Sequence, residues 1–323
     1  MVKPLLEVEN LKTYFFTHRG AVKAVDGVSF SVERGETTGL VGESGCGKTI
    51  TCLSILGLVP SPGKIVGGNI YFEDEDDLLE KSEGEMRHIR GRKISIILQD
   101  PMTSLNPAYS IGEQIAETIR LHQGARRREL QDKTIASLKL VRIPDAERRL
   151  GDYPHQMSGG MRQRVTGAIA LSCHPSLLIA DEPTTSLDVT TQAQYLELLR
   201  EVQRESKISM IFITHDFGIV ARMCDKVSVM YAGRIVETAP TRELFDNPVH
   251  PYTRALMGSI PKLEVRVEKL SSIEGQPPFL VDQPPGCNFA PRCNRTKSSC
   301  REEIPPQVAV GDGHLVSCWE AGK

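Results

Sequence analysis

The sequence predicts an α/β fold of strands alternating with helices, followed by a small irregular segment rich in cysteine. Three observations predict it. Residues 42–49 read GESGCGKT, with a short apolar strand before them and a helical pattern after them. Further apolar runs at 93–98, 177–182 and 209–214 are spaced as the strands of βαβ units. Finally, four of the eight cysteines lie beyond residue 286.

Length and composition narrow the class of protein. A chain of 323 residues suits a large α/β domain plus an appendage. Its 39 basic and 41 acidic residues give a net charge of −2, which argues against a nucleic-acid partner. No apolar run approaches the roughly 18 residues of a membrane span, and the first residues do not form a signal peptide. We therefore expect a cytoplasmic protein without a disulfide framework.

The first strands precede the glycine-rich stretch. Residues 6–9 alternate as a half-buried strand, and residues 22–32 form a second strand closed by a turn at 33–36. Two of the three aromatic residues between them are expected to pack in the core, and the third could stack on an adenine ring. These aromatic residues are Tyr14, Phe15 and Phe16.

The glycine-rich stretch is predicted to be a phosphate-binding loop. Its glycines allow backbone N–H groups to surround an oxyanion, while Lys48 reaches the outer phosphates and the Thr49 hydroxyl ligates Mg²⁺. The helix expected at 50–58 directs its N-terminus at the charge. The residues predicted to bind the nucleotide here are Gly42, Ser44, Gly45, Cys46, Gly47, Lys48, Thr49 and Ile50.

The middle of the chain is expected to carry a second set of site residues. Residues 60–68 are interpreted as a proline- and glycine-rich connection, and residues 74–80 as an acidic surface run. Gln99 follows the strand at 93–98, at the end where ligands of α/β sheets bind. Residues 111–150 have a helical, charged pattern.

A serine and two glycines precede the next helical run. Ser158 is placed as an N-cap, so Gly159 and Gly160 would present bare N–H groups at a positive helix end. This signal is weak alone. It gains meaning from the strand at 177–182 that follows it.

That strand ends in two carboxylates. Asp181 is predicted to hold Mg²⁺, and Glu182 to polarise the attacking water. The strand at 209–214 is followed by His215, which could reach the γ-phosphate. A strand pair at 226–231 and 234–237 then ends the α/β pattern.

These motifs, in this order, resemble the nucleotide-binding subunit of an ABC transporter over about residues 5–245. Within that superfamily the chain is similar to the ATPase subunits of dipeptide and oligopeptide importers, and nickel importers of the same type share many of the motifs. The stretches that match are 99–107, 155–164, 181–190 and 247–253. The resemblance implies a cassette at 1–245, with a RecA-like core, an antiparallel β subdomain and a helical subdomain at about 100–170. Residues 246–323 would form a cysteine-rich C-terminal extension.

The resemblance also implies a mechanism. Two such subunits would hold two ATP molecules, each between the phosphate loop of one and residues 158–160 of the other. Further implied roles are adenine stacking for Phe15, general base for Glu182, γ-phosphate sensor for His215, Mg²⁺ and water contact for Gln99, and a link across the dimer for Asp188. The usual Leu-Ser-Gly-Gly-Gln signature departs here at Met157 and Met161.

The implied partners are integral-membrane permease subunits, a second ATPase subunit, homologous or identical, and, indirectly, an extracytoplasmic solute-binding protein. The chain would then lie at the cytoplasmic face of the membrane. A soluble ABC ATPase of repair, translation or cluster assembly is the alternative. The near-neutral charge argues against the nucleic-acid form of that alternative.

The C-terminal cysteines are spaced C-x5-C-x6-C-x17-C. Because their segment has few apolar residues for a core of its own, a bound metal is expected to hold it together. Zinc sites usually contain C-x2-C pairs, which are absent here, and four cysteines are the usual ligands of a [4Fe–4S] cluster. The cluster is the prediction, zinc and unligated thiols are the alternatives, and a redox sensor is a further possibility. The expected ligands are Cys287, Cys293, Cys300 and Cys318.

Overall fold

The computed structural model describes residues 3–73, 76–259, 273–281 and 283–321. It divides into two compact units. Unit 1 contains Met1–Val32, Thr37–Leu79 and Ile213–Lys323, and unit 2 contains Glu33–Glu36 and Glu80–Phe212. The domain boundaries that the resemblance implied stay a prediction.

The strands of the described residues confirm most of the apolar runs and add others. They are β1 Leu6–Thr17, β2 Gly20–Val32, β3 Thr37–Val41, β4 Gly63–Phe72, β5 Ile94–Ile97, β6 Leu177–Asp181, β7 Ser209–Thr214, β8 Lys226–Tyr231, β9 Arg234–Pro240, β10 Val308–Gly311 and β11 His314–Val316.

The helices of the described residues follow the same chain order. They are α1 Lys48–Ile55, α2 Glu83–Ile89, α3 Pro101–Ser104, α4 Ile111–Gln123, α5 Arg127–Leu140, α6 Ala146–Arg149, α7 Gly159–Leu171, α8 Val189–Ser206, α9 Phe217–Met223, α10 Thr241–Asp246, α11 Pro251–Gly258 and α12 Ser299–Glu302, with 3₁₀ turns at Leu78–Glu80, Pro154–Gln156 and Ala290–Arg292. None of these helices is long and apolar enough to cross a membrane.

Unit 1 carries two groups of strands. The first is an antiparallel sheet in the order β2-β1-β4, in which Val8 lies opposite both Phe30 and Ile70. The second runs β10-β11-β9-β8-β3, with β3 parallel to β8 and the other neighbours antiparallel. Its strand β3 is wholly buried and leads directly into the glycine-rich loop.

Three strands of unit 1 correct the sequence interpretation. The stretch interpreted as a connection at 60–68 contains the start of β4, because pairing with β1 overrides the weak strand propensity of its glycines. The C-terminal hairpin of β10 and β11 extends the sheet beyond β9, where the α/β pattern was expected to stop. Strand β4 pairs with β1 and β11 pairs with β9, and both of these partners lie far away in the sequence.

Unit 2 contains the strands β7, β6 and β5 as sheet neighbours, with β5 and β6 parallel. The last residues of β7, from Ile213 on, are assigned to unit 1. Every residue of β6 is buried, as expected for a strand covered on both faces. Helix α4 buries Ile111, Ile115 and Ile119, which share one face at intervals of four residues. A capping box between Ser110 and Glu113 begins that helix.

Candidate functional site

The glycine-rich loop connects β3 to α1 and depends on glycine at two positions. Gly42 has a φ of 152° and Gly47 a φ of 110°, in the region that side chains disfavour. A Cβ atom at Gly42 would lie 2.2 Å from the carbonyl oxygen of Met230, and one at Gly47 would lie 2.2 Å from that of Ala24. The backbone of β8 and β2 therefore fixes the path of the loop.

The outer part of the loop is open. Among the described residues, no heavy atom other than those of the chain neighbours lies within 4 Å of the position of a Cβ on Gly45, and Ser44 and Thr49 are exposed. Helix α1 begins at Lys48, directly after Gly47, and has no acidic residue in its first turn. Backbone N–H groups at the start of a helix favour an anion, so this geometry fits a bound phosphate.

Lys48 is held within the loop. Its side chain is buried, and Nζ donates to the carbonyl oxygens of Gly42 at 2.8 Å and Glu43 at 3.1 Å. Burial raises the pKa of the neighbouring Cys46 thiol more than Lys48 lowers it. Cys46 is therefore a neutral packing residue, and its backbone is the part that can face a phosphate.

The aromatic residues of β1 differ in their surroundings. A Cβ at Gly63 would meet the Phe15 ring at 2.8 Å, so Phe15 packs over β4, whereas Phe16 is 49% exposed. The Tyr14 hydroxyl donates to the Asp26 carboxylate at 2.6 Å. The stacking role of Phe15 stays a prediction.

In unit 2, the structure brings Gln99 and Glu182 together. Glu182 directly follows β6 with a φ of 43°, a strained value for a residue with a side chain. Its Oε2 atom accepts hydrogen bonds from Gln99 Nε2 at 2.9 Å and from Thr185 Oγ1 at 3.0 Å. Asp181, the last residue of β6, is buried. Two donors therefore orient the carboxylate that was predicted to polarise water.

Ser158 caps α7, as the sequence predicted. Its hydroxyl accepts from the N–H of Met161, and no atom of the described part of the chain lies within 4 Å of the position of a Cβ on Gly159, apart from its chain neighbours and its own helix backbone. A Cβ on Gly160 would instead lie 2.5 Å from the Thr191 methyl group of α8. Gly159 therefore leaves the helix end accessible, and Gly160 allows the two helices to approach.

Asp188 begins α8 as its N-cap. It accepts from the N–H groups of Thr190 and Thr191 and from the Thr191 hydroxyl. These bonds, the Thr191 hydroxyl first, lower the pKa of Asp188. In unit 1, His215 is exposed directly after β7, and Asp216 caps α9. The roles predicted for Asp188 and His215 in catalysis stay predictions.

The four C-terminal cysteines line one cavity of about 20 Å³ in unit 1, together with His250 and Trp319. Burial raises the pKa of Cys287 to about 11 and also raises the pKa values of Cys293 and Cys318. Among the residues that the structure describes, no three His, Cys, Asp or Glu side chains are placed to hold a metal ion. The thiols therefore share a cavity without forming a ligand set in this structure, and the iron–sulfur cluster stays a prediction.

Two residues that touch the phosphate loop were missed by sequence reasoning. The N–H of Glu43 donates to the Tyr252 hydroxyl at 2.9 Å, and the Glu43 carboxylate pairs with Arg292. These partners lie 209 and 249 residues away along the chain. No local sequence signal could have found them.

Comparison with known proteins agrees with this geometry. The family model "ABC transporter" matches residues 25–185, and the model "Oligopeptide/dipeptide transporter, C-terminal region" matches residues 236–300. Among solved structures, the chain is similar to the ATP-binding cassette MJ0796 in a post-hydrolysis state bound to ADP and Pi. The identity is 25%, the TM-score is 0.65, and the match covers 73% of this chain and 99% of the other. The fold and the phosphate loop therefore define an ATPase of the ATP-binding cassette class.

Similar proteins of known name indicate which group of ATP-binding cassette ATPases the chain belongs to. The chain is 48% identical to the dipeptide transport ATP-binding protein DppD of Bacillus subtilis, over 98% of this chain and 95% of the relative. It is 50% identical to the probable peptide ABC transporter ATP-binding protein y4tR of Sinorhizobium fredii, over 99% and 96%. The chain belongs to the family of ATP-binding subunits of peptide ABC transporters.

Proposed function

We propose that this chain hydrolyses ATP to drive the uptake of dipeptides or oligopeptides through separate membrane permease subunits. The observation that carries the hydrolytic part is the Glu182 carboxylate, held by Gln99 and Thr185 at the end of a buried strand. The match of residues 236–300 to the C-terminal region of peptide transporters supports the choice of solute.

The proposal gives the phosphate loop the task of binding the triphosphate. Its exposed N–H groups and the start of α1 bind the phosphate oxygens, and Lys48 balances their charge. Phe15 stacks on the adenine. Mg²⁺, when bound, neutralises charge on the phosphate oxygens. Its proposed protein contacts are Thr49, Gln99 and Asp181, whose oxygen atoms suit a hard cation.

Hydrolysis is assigned to Glu182, Gln99 and His215. Glu182 accepts a proton from the attacking water, and Gln99 keeps that carboxylate and the water in position. His215 contacts the γ-phosphate. In a dimer of two such subunits, the N-terminus of α7 with Ser158, Gly159 and Gly160 completes the site of the other subunit.

The partners and location follow from the same proposal. The chain pairs with a second copy or a homologous ATPase subunit, and the pair docks on permease subunits at the cytoplasmic face of the membrane. A solute-binding protein outside the membrane delivers the peptide. The subunit names of the relatives support a role in transport.

The decisive variant is Glu182→Gln, which keeps the size of the side chain and its bond from Gln99. We expect ATP hydrolysis to fall about 100-fold or more, with ATP binding retained, because only the base is lost. The matched control is Glu205→Gln on the exposed end of α8, which should keep full activity. Equal hydrolysis by Glu182→Gln and the native protein would contradict the assignment.

Transport is tested in vesicles that contain the permease subunits. Labelled dipeptide should enter only with ATP and the native chain, and not with Glu182→Gln. Uptake of nickel ions instead of peptide would leave the ATPase assignment intact and overturn the choice of solute.

We also propose that the four C-terminal cysteines bind a [4Fe–4S] cluster, with zinc as the alternative. The support is their chemistry and their shared cavity. Binding requires deprotonated thiols arranged around one centre, an arrangement that the described residues do not form in this structure. Metal analysis of protein purified without oxygen tests this: about four irons per chain with broad visible absorbance supports the cluster. One zinc ion favours the alternative, and four titratable thiols without metal contradict both.

A further inference from the structure

The phosphate loop contains an anion of its own, Glu43. A carboxylate within a loop that binds a polyanion is unfavourable unless its charge is balanced. The balancing charge comes from the C-terminal segment: Nη1 of Arg292 donates to Glu43 at 2.8 Å, and Nη2 donates at 3.1 Å. The Arg292 side chain is 4% exposed and that of Glu43 is 27% exposed. The pair is therefore bidentate and mostly shielded from water.

Arg292 is held firmly in this position. Besides the two bonds to Glu43, its guanidinium donates to the Tyr231 hydroxyl at 3.3 Å and to the carbonyl oxygens of Ile273 at 3.2 Å and Glu274 at 3.0 Å. These five bonds match the five N–H donors of a guanidinium. Its carbon Cζ also lies 5.8 Å from the centre of the Tyr231 ring. Such a fixed fork suits a residue that positions another group.

Two further contacts connect the C-terminal part of unit 1 to the loop backbone. The Tyr252 hydroxyl accepts from the N–H of Glu43, which removes that N–H from the groups available to a phosphate. Asn288 donates to the carbonyl oxygen of Ala232, and the adjacent Gly233 N–H donates to the carbonyl of Cys46 in the loop. The loop is thus braced at Glu43 and at Cys46.

We propose that Arg292 is a positioning residue for nucleotide binding. It neutralises Glu43 and holds its carboxylate toward the C-terminal segment, so that this segment sets the affinity of the phosphate loop for ATP. The inference rests on the proposed function, because it requires the loop to bind ATP. It adds a role for the C-terminal segment in that binding.

The test measures the affinity for a fluorescent ATP analogue with Mg²⁺. In Arg292→Met, the charge of Glu43 is unbalanced beside the phosphates, and we expect the Kd to rise about tenfold, which is about 1.4 kcal/mol. The double variant Glu43→Gln/Arg292→Met should recover most of this loss, because the repelling charge is gone. The Kd of Arg292→Lys should lie between those of the native protein and Arg292→Met, since lysine keeps the positive charge but cannot form the bidentate pair.

The matched control is Arg242→Met, which removes an exposed arginine paired with Asp246 on α10. Its Kd should equal that of the native protein. The effect of Arg292→Met should appear in KM, with kcat at saturating ATP within about twofold of native, because the hydrolytic residues are untouched.

Several outcomes would overturn the inference. One is native-like affinity in Arg292→Met; another is a double variant as weak as Arg292→Met, since a purely structural brace would give that result. If Arg292→Met does not fold, Glu43→Gln decides: its affinity should match or exceed the native one, and a tenfold loss contradicts the proposal. Failure of the native chain to bind ATP would instead refute the proposed function.

Discussion

Acid should destabilise the C-terminal part of unit 1 through His250. This residue is 1% exposed, and burial lowers its pKa to about 3. Its Nδ1 atom accepts from the N–H of Tyr252 at 3.0 Å and so caps α11. Protonation would both bury a charge and remove the acceptor that begins the helix.

The direction and size of the effect follow from linkage. In the unfolded chain the histidine binds a proton near pH 6.5, whereas in the folded chain it does so only near pH 3. The stabilisation from neutral His250 is therefore present above pH 6.5 and is lost as the pH falls toward 3. Between pH 7 and pH 5 this single group should cost about 2 kcal/mol of folding free energy.

The informative variant is His250→Asn, because asparagine is a good N-cap and does not titrate. The assay is urea unfolding at pH 7 and pH 5, followed by the fluorescence of Trp319. This residue is the single tryptophan of the chain and lines the same cavity as His250. Other groups titrate in both proteins, so the quantity of interest is the difference between the two pH-dependent losses. Equal losses in the native protein and the variant would refute the reasoning.

Three further predictions concern other contacts. Gly47→Ala should abolish ATP-analogue binding, because the new methyl group would lie 2.2 Å from a carbonyl oxygen of β2, and unchanged affinity would contradict this. Gly160→Ala should lower the melting temperature through a clash with the Thr191 methyl group, and Gly160→Ala/Thr191→Ser, which removes that methyl group, should restore it. Burial, followed by the bond to Asp26, raises the pKa of Tyr14 to about 12. The contribution of neutral Tyr14 to folding stability should thus be lost as the pH rises from 10 to 12. In an absorbance titration, Tyr14→Phe should remove one phenol that ionises late.

Features that depend on neighbouring residues were predicted from the sequence, whereas features that depend on distant residues were not. The phosphate loop, the Ser158 cap and the strand before Asp181 are encoded within short stretches, where periodicity, capping and glycine requirements act on neighbouring residues. Each was predicted with nearly the observed bounds. Strands β4, β10 and β11 were missed, because pairing with neighbouring strands stabilises them more than the strand propensity of their own residues does.

Buried polar groups also could not be predicted from the sequence. Asp77 lies in the acidic run that was interpreted as surface, of which residues 74 and 75 fall outside the described part. The structure buries it, and it accepts from the side chain of Asn69 and from the N–H groups of Ile70 and Leu79. Composition alone assigns a run of acids to solvent, whereas only the packed chain supplies the donors that make burial of one of them favourable.

The sequence by itself determined that this chain binds a nucleoside triphosphate and which local motifs take part, since those motifs require particular residues at fixed short spacings. Only the tertiary structure decided that Arg292 balances Glu43, that Gln99 and Thr185 orient Glu182, and that four thiols share one cavity. The physical reason is that charge pairing, orientation and cavity shape depend on distances in space. Residues such as Glu43 and Arg292, which are 249 positions apart along the chain, meet only when the whole unit is folded.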